Sequence, residues 1–163
     1  MKNIKIYNTA YEIGIRILIL LGQSMKELDL QRIIFYDYLM IHYNDVNAAY
    51  ESLHPDNPYH ATELFVRRKL VQDALKLIGQ KGLVEVKLSN KGIQYNITSL
   101  GINCLSYFES EYFTKLSEYS RLVIEEFNNY SDEELKRYIN NNVGQWEDQF
   151  EKEALFRGDI LEL

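Results

Sequence analysis

The sequence has little of several features that usually mark an enzyme, a secreted protein or a membrane protein. Its single cysteine, Cys104, excludes a disulfide framework and a metal site built from thiolates. The longest apolar run, residues 13–22, is short and contains Arg16, so it predicts a buried helix and not a membrane span. Residues 1–14 lack the basic-then-apolar pattern of a secretory signal. These features favour a cytoplasmic protein.

Motifs for catalysis are also scarce. The glycines form no G-x-x-x-x-G-K-[ST] phosphate loop. His54, Asp56 and His60 are metal-ligating residue types, but they fall in one short loop with both prolines of the chain, and no fourth ligand is evident. A rigid structural loop is the simpler interpretation. We therefore expect no enzyme activity, no metal and no cofactor.

The residues that are abundant predict a well-formed core. Apolar residues make up 46% of the 163-residue chain, and thirteen residues are tyrosine, which suits interfaces as well as cores. Charge is unevenly distributed: residues 61–98 carry seven basic and three acidic side chains, whereas residues 105–163 carry six and fourteen. The acidic third should repel phosphate, so we expect DNA binding to be weak and confined to the basic middle.

Periodicity predicts a mainly helical (α+β) chain. Alternation of apolar and polar residues over 84–97, around the turn Ser89–Gly92, predicts a β-hairpin with one buried face. Ser131 and Glu134 have the spacing of a capping box, and Asn140–Asn142 are expected to break the helix that it opens. The other predicted elements are a helix over 8–21 ended by Gly22, an extended piece over 25–28, and helices over 30–43, 62–78 and 99–127.

This order of elements is that of a winged helix-turn-helix with a two-stranded wing and a C-terminal helical extension. We predict a winged-helix core over residues 1–98, followed over 99–163 by a long helical arm and acidic C-terminal helices. The order alone does not define a function, because DNA-binding and scaffolding domains share it.

The helix over 62–78 would be the recognition helix of such a fold. It carries Lys69, Gln72 and Lys76 on its polar side, and Lys87 and Lys91 lie on the wing. These five residues are candidate nucleic-acid contacts, although a solvated helix face is the simpler interpretation. Only Gln72 is of a type that reads base edges, so sequence-specific recognition is poorly supported.

Two opposite charges fall on apolar helix faces. Helical projection puts Asp37 in the middle of one apolar side and Arg67 within another, with Arg68 at its margin. A charge on a core face needs a partner. We therefore predict a buried ion pair of Asp37 with Arg67 or Arg68.

Four segments carry a family resemblance: NTAYEIGIR, DYLMIHYND, LHPDNPYHATELFVRRKL and GLVEV…GIQYNIT. Together, over residues 7–110, they resemble the middle component of bacterial ABC-three-component antiphage defence systems, of which Lamassu is one branch. The positions that match the family pattern are Asn8, Glu12, Gly14, Arg16, Asp37, His54, Pro55, Pro58, Glu63, Arg67 and Arg68.

The resemblance implies a small non-catalytic subunit. It would lie between an SMC-like ATPase and an effector, often a nuclease, and it would be similar to the winged-helix accessory subunits of SMC complexes. The alternative is a winged-helix transcription regulator that dimerises through the long helix.

Aromatic residues of the C-terminal part are the candidate partner contacts, because such residues anchor interfaces. For Trp146 and Phe150 the competing interpretation is that they fill the protein's own core. The candidate partner-binding residues are Tyr112, Tyr119, Tyr138, Trp146, Phe150 and Phe156.

Overall fold

The structure is a computed structural model, and it describes residues 8–55 and 60–142. The chain is mainly helical with one small antiparallel sheet. Its elements in chain order are α1 (Ala10–Gln23), β1 (Leu28–Asp29), α2 (Leu30–Ile41), a 3-10 turn (Tyr43–Asp45), α3 (His60–Gln80), β2 (Val84–Ser89), β3 (Gly92–Ile97), α4 (Ser99–Leu105), α5 (Glu111–Phe127) and α6 (132–142).

Side-chain caps define the helix starts that the sequence predicts. Thr9 accepts a hydrogen bond from the backbone N–H of Glu12, and Asp29 accepts one from that of Arg32. Ser131 and Glu134 form the expected capping box at 3.2 and 2.7 Å. Four predicted helix ends are wrong: α1 continues past Gly22 to Gln23, α2 ends at Ile41 and not at 43, α3 continues past 78 to Gln80, and α6 is helical through Asn142.

The sheet has strand order β1-β3-β2, and both pairings are antiparallel. The hairpin β2–β3 has the predicted register, with Val84 opposite Ile97 and Ser89 opposite Gly92. Its apolar face is not buried as expected, however. Val84 is buried, whereas Val86, Leu88 and Ile93 are 58%, 83% and 52% exposed, because only the base of the hairpin packs on the body of the protein.

The predicted long fourth helix is wrong. The chain turns between α4 and α5, and Ser110 caps α5 by accepting a hydrogen bond from Phe113 N–H at 3.1 Å. Apolar residues keep a spacing of threes and fours through this turn, which is why the pattern alone did not reveal it. Instead of projecting as an arm, α5 packs against α1 and α2.

One hydrophobic core unites the described residues. It includes Ile17 of α1, Met40 of α2, Val71 of α3, Val123 of α5 and Leu135 of α6. The C-terminal helices therefore share the core of the N-terminal part. No helix among residues 8–55 and 60–142 combines the length and the apolar character needed to cross a bilayer.

Arg32 fastens the C-terminal part to α2. Its guanidinium donates to the Asp132 carboxylate at 2.7 Å and to the Tyr130 carbonyl oxygen at 2.8 Å. The same side chain donates to the Tyr36 hydroxyl at 3.0 Å. These contacts fix the start of α6 against the second helix.

Candidate functional site

Three buried charged side chains occupy the centre of the helical body. Asp37 of α2 and Arg16 of α1 are fully buried, and Arg67 of α3 is 2% exposed. A buried charge is costly unless it is paired and hydrogen-bonded. Asp37 is paired and hydrogen-bonded with both Arg16 and Arg67.

Arg16 binds Asp37 through two donors. Its Nε lies 2.6 Å from Asp37 Oδ1, and its Nη2 lies 2.9 Å from Asp37 Oδ2. This fork-to-carboxylate geometry fixes orientation as well as charge. It joins α1 to α2.

Arg67 completes the coordination of the same carboxylate from the other side. Its Nη1 donates to Asp37 Oδ2, and its Nη2 donates to Glu63 Oε1 at 2.6 Å. Arg67 also lies over the ring of Tyr38, with 5.8 Å between the guanidinium carbon and the ring centroid. Asp37 therefore ties α1, α2 and α3 together.

Each arginine has a second, less buried carboxylate one helical turn before it. Glu12 Oε1 accepts from Arg16 Nη1 at 3.0 Å, and Glu63 occupies the corresponding position for Arg67. Both pairs have the i,i+4 spacing that brings side chains together on one helix face. Each arginine is therefore also paired with a carboxylate of its own helix.

Histidine and tyrosine side chains extend this network to the neighbouring elements. His42 Nε2 lies 2.8 Å from Glu63 Oε1. His54 Nε2 lies 2.8 Å from the Tyr112 hydroxyl and 3.3 Å from Glu12 Oε1, and Tyr112 itself donates to Glu12 at 2.9 Å. Tyr112 therefore connects α5 to the network, and His54 connects the loop after the 3-10 turn to it.

The electrostatics keep the carboxylates ionised. Burial alone would raise the pKa of Asp37, but the two guanidinium groups outweigh it and hold the pKa at about 2. The pKa of Glu12 is lowered because the hydrogen bond with His54 and the charge of Arg16 overcome desolvation. For Glu63, contacts with His42 and Arg67 overcome desolvation in the same way and lower its pKa.

Helices α1 and α3 pack closely at Gly14. A Cβ added to Gly14 of α1 would lie 2.7 Å from Ile78 Cγ2 of α3. Only glycine allows the two helices to approach so closely at this point. Gly14 therefore allows α1 and α3 to pack closely where Ile78 meets α1.

The network is suited to holding helices together. Two guanidinium groups meet three carboxylates, and the central charges are withdrawn from solvent. Among the residues that the structure describes, no group of three or more metal-ligating side chains could hold an ion. Of the loop residues considered for a metal, Asp56 lies outside the described residues.

The structure brings Asp37 and Arg67 together and leaves Arg68 outside. Arg68 is exposed and donates to Gln31 at 3.3 Å. The sequence alone did not indicate that Arg16, His42 or Tyr112 belongs to this network. The signal for Arg16 was its position inside the long apolar run, where a lone charge requires a buried partner.

The candidate nucleic-acid contacts do not form one basic patch free of acids. Helix α3 exposes Lys69, Gln72 and Lys76. Lys69 Nζ lies 3.3 Å from Asp73 Oδ1. Lys87 lies 2.6 Å from Glu27, and Lys91 is exposed in the hairpin turn. Their contact with DNA stays a prediction.

Two candidate partner-binding residues face inward instead. Tyr119 is 8% exposed and donates to the Glu51 carbonyl oxygen at 2.7 Å, while Tyr112 belongs to the buried network. They fill the protein's own body because α5 packs on α1 and α2. Tyr138 is half-buried, with its ring centroid 4.9 Å from that of Phe127. The other three candidates, Trp146, Phe150 and Phe156, lie outside the described residues.

Comparison with known proteins identifies the family. The model of the ABC-three component (ABC-3C) system Middle Component 2 family matches residues 6–149. No curated protein and no solved structure matches the chain. The chain belongs to the Middle Component 2 family, which confirms the resemblance to middle components.

Proposed function

We propose that this chain is the non-catalytic accessory subunit of an ABC-three-component defence system. In this proposal it tethers an effector, of the nuclease type, to the heads of an SMC-like ATPase, and the system is an antiphage system of the Lamassu type. Membership of the Middle Component 2 family supports a role as one component among several. The identity of the two partners is the part that experiment must establish.

The observation that carries the proposal is that five charged residues of the family pattern are paired inside the protein. Glu12, Arg16, Asp37, Glu63 and Arg67 pair with one another inside the helical body. Catalytic groups need access to a substrate, whereas these groups are occupied by internal partners. Their arrangement suits a rigid platform on which other subunits assemble.

The order of elements supports a winged helix-turn-helix platform. In that interpretation α2 and α3 are the helix pair, and β2–β3 is the wing, joined to β1 through the pairing of Leu28 with Tyr95. Such domains serve as accessory subunits as well as DNA readers. Fold order therefore agrees with a scaffold without requiring DNA recognition.

Exposed apolar side chains offer surfaces for partners. Phe65 of α3 and Leu88 of β2 are each 83% exposed, and Tyr107 is 78% exposed. Large apolar and aromatic side chains at the surface are the residue types that anchor protein interfaces. We place the partner contacts on such residues and on the C-terminal aromatics.

The alternative of a transcription regulator has less support. It required a long free helix for dimerisation, but Leu116, Tyr119, Val123 and Phe127 of α5 are buried in the core. The basic surface is also interrupted by Asp73, Glu27 and Glu85. Duplex DNA binding should accordingly be weak and independent of sequence.

Co-expression with the proposed ATPase and effector components tests the proposal. A tagged chain should retain both the ATPase and the effector, and omission of the chain should separate those two from each other. An ATPase and effector that associate fully without this chain would overturn the tethering role. A footprint at a defined operator that survives moderate salt would instead support the regulator.

A further inference from the structure

The outer edge of β2 is unpaired in the part of the chain that the structure describes. The sheet order β1-β3-β2 places β2 at one side, with no strand beyond it among residues 8–55 and 60–142. The strand contains no proline, and Val86 and Leu88 are largely exposed. An accessible apolar edge of this kind favours pairing with another strand.

The register shows which backbone groups face outward. The turn residues Asn90 and Lys91 separate the closing pair Ser89 and Gly92, and Lys87 lies opposite Gln94. In a two-residue hairpin the closing pair is hydrogen-bonded, and such pairs alternate along an antiparallel ladder. The N–H and C=O groups of Val86 and Leu88 therefore point away from β3 and toward the free edge.

The side chains of β2 are complementary to themselves. In an antiparallel arrangement related by a two-fold axis at Val86, Glu85 of each copy lies opposite Lys87 of the other. Val86 then meets Val86, and the outward backbone groups are in register for hydrogen bonding. Opposite charges and apolar pairs directly across strands are the favourable combinations. A two-fold contact of this type uses the same surface on both copies.

Lys87 is not an obstacle to this pairing. An edge lysine usually discourages strand addition, but Lys87 Nζ lies 2.6 Å from Glu27 and 3.9 Å from Glu85. Its charge is thus already accommodated by carboxylates at this edge. A shift of the axis to Lys87 would set the two lysines opposite each other, so charge favours the register centred on Val86.

We propose that the free edge of β2 pairs antiparallel with the same edge of a second copy of this chain, centred on Val86. The two sheets join into one continuous six-stranded sheet. The exposed apolar faces of the two hairpins become neighbours across the axis. The contact is small, so the dimer is weak and forms with rising protein concentration.

Charge exchange across the axis provides the test. Glu85→Lys and Lys87→Glu are each prepared in the full chain, and the mass in solution is measured by analytical ultracentrifugation at low salt over a range of concentrations. The wild-type chain should approach twice the monomer mass, and each variant alone should remain monomeric because like charges now face each other. An equimolar mixture of the two variants should recover the dimer, since every cross-strand pair is again of opposite sign.

The controls separate this contact from others. Lys91→Glu makes the same charge change in the hairpin turn and should still dimerise, and circular dichroism checks that each variant is folded. Should Lys87→Glu disturb the hairpin, Val86→Lys places like charges on the axis and should give a folded monomer. A wild-type chain that is monomeric at every concentration overturns the proposal. So does a dimer that survives Glu85→Lys, or a mixture of the two variants that stays monomeric.

Discussion

The buried network and the hairpin differ in where they place charge and apolar surface. Around Asp37, charged groups are enclosed by helices and paired with one another. On β2, by contrast, Val86 and Leu88 are exposed to solvent. The first region holds the fold together, whereas the second contributes little to the core. Substitutions should therefore have large effects on stability in the network and small ones on the hairpin.

The largest effect is expected when the shared carboxylate is removed. Asp37→Ala leaves two buried guanidinium groups without their common partner, and loss of one member of a buried ion pair typically costs about 3–5 kcal/mol. Urea denaturation measures the difference in the free energy of unfolding. The surface control Arg68→Ala should stay within about 0.5 kcal/mol of the wild type. Equal effects of the two substitutions would contradict the distinction between the regions.

The next effect concerns the close contact between α1 and α3 at Gly14. Gly14→Ala places a methyl group 2.7 Å from Ile78 Cγ2, and the crowding should cost about 1–3 kcal/mol. Gly22→Ala is the matched control in the same helix, because its nearest neighbour is the Leu105 side chain at 3.5 Å. Thermal denaturation should show a loss for Gly14→Ala and none for Gly22→Ala. A stabilised Gly14→Ala variant would mean that α1 and α3 do not approach so closely.

Acid should weaken the network over a defined pH range. The pKa of Asp37 is lowered from 3.8 to about 2, and those of Glu12 and Glu63 are lowered from 4.5. A carboxyl group with a lowered folded-state pKa stabilises the fold above its ordinary value, and that stability is lost as pH falls toward the folded-state value. For Asp37 the loss amounts to roughly 2 kcal/mol between about pH 4 and pH 2.

Urea denaturation at pH values from 5 to 2.5 measures this dependence. The wild-type free energy of unfolding should fall with pH through this interval, and the fall should be smaller for Asp37→Asn, which has no carboxyl group to titrate at this position. A wild-type value that is constant from pH 5 to pH 3 would show that the carboxyl groups are not held by the arginines.

The ion-pair network was only partly predictable from the sequence. Opposite charges on two apolar faces were enough to suggest that Asp37 meets Arg67, because helical spacing fixes which residues share a face. The contribution of Arg16 depends on how α1 packs against α2, and that of Tyr112 on the turn before α5. Such contacts join distant parts of the chain, and local periodicity does not contain them.

For the hairpin, the sequence predicts the local structure but not the burial of its side chains. Its strands, turn and register follow from alternation and turn residues, and the structure agrees with them. Burial of its apolar face does not follow, because alternation indicates which residues share a face and not what covers that face. Apolar spacing misleads differently over 99–127, where threes and fours continue through a turn and predicted one helix although the chain forms two.

The smallest effect on stability is expected at the tip of the hairpin. Leu88→Ser removes an apolar side chain that is 83% exposed, so the free energy of unfolding should change by no more than about 0.5 kcal/mol. Leu39→Ser, at a buried position of α2, is the matched control and should be strongly destabilising. A large loss for Leu88→Ser in the monomer would indicate that the hairpin face packs against the body.

The central claim is that the five residues of the ion-pair network hold the helices of the platform together and take no direct part in binding or chemistry. These residues are Glu12, Arg16, Asp37, Glu63 and Arg67. Replacing the whole network by uncharged residues tests it, since well-packed apolar groups often substitute for buried ion pairs without loss of stability. The variant combines Glu12→Gln, Arg16→Met, Asp37→Leu, Glu63→Gln and Arg67→Met, and circular dichroism establishes that it folds. The decisive measurement is co-purification of this folded variant with the proposed ATPase and effector partners. We predict recovery of both at the wild-type level, and a folded variant that no longer retains them would contradict the account.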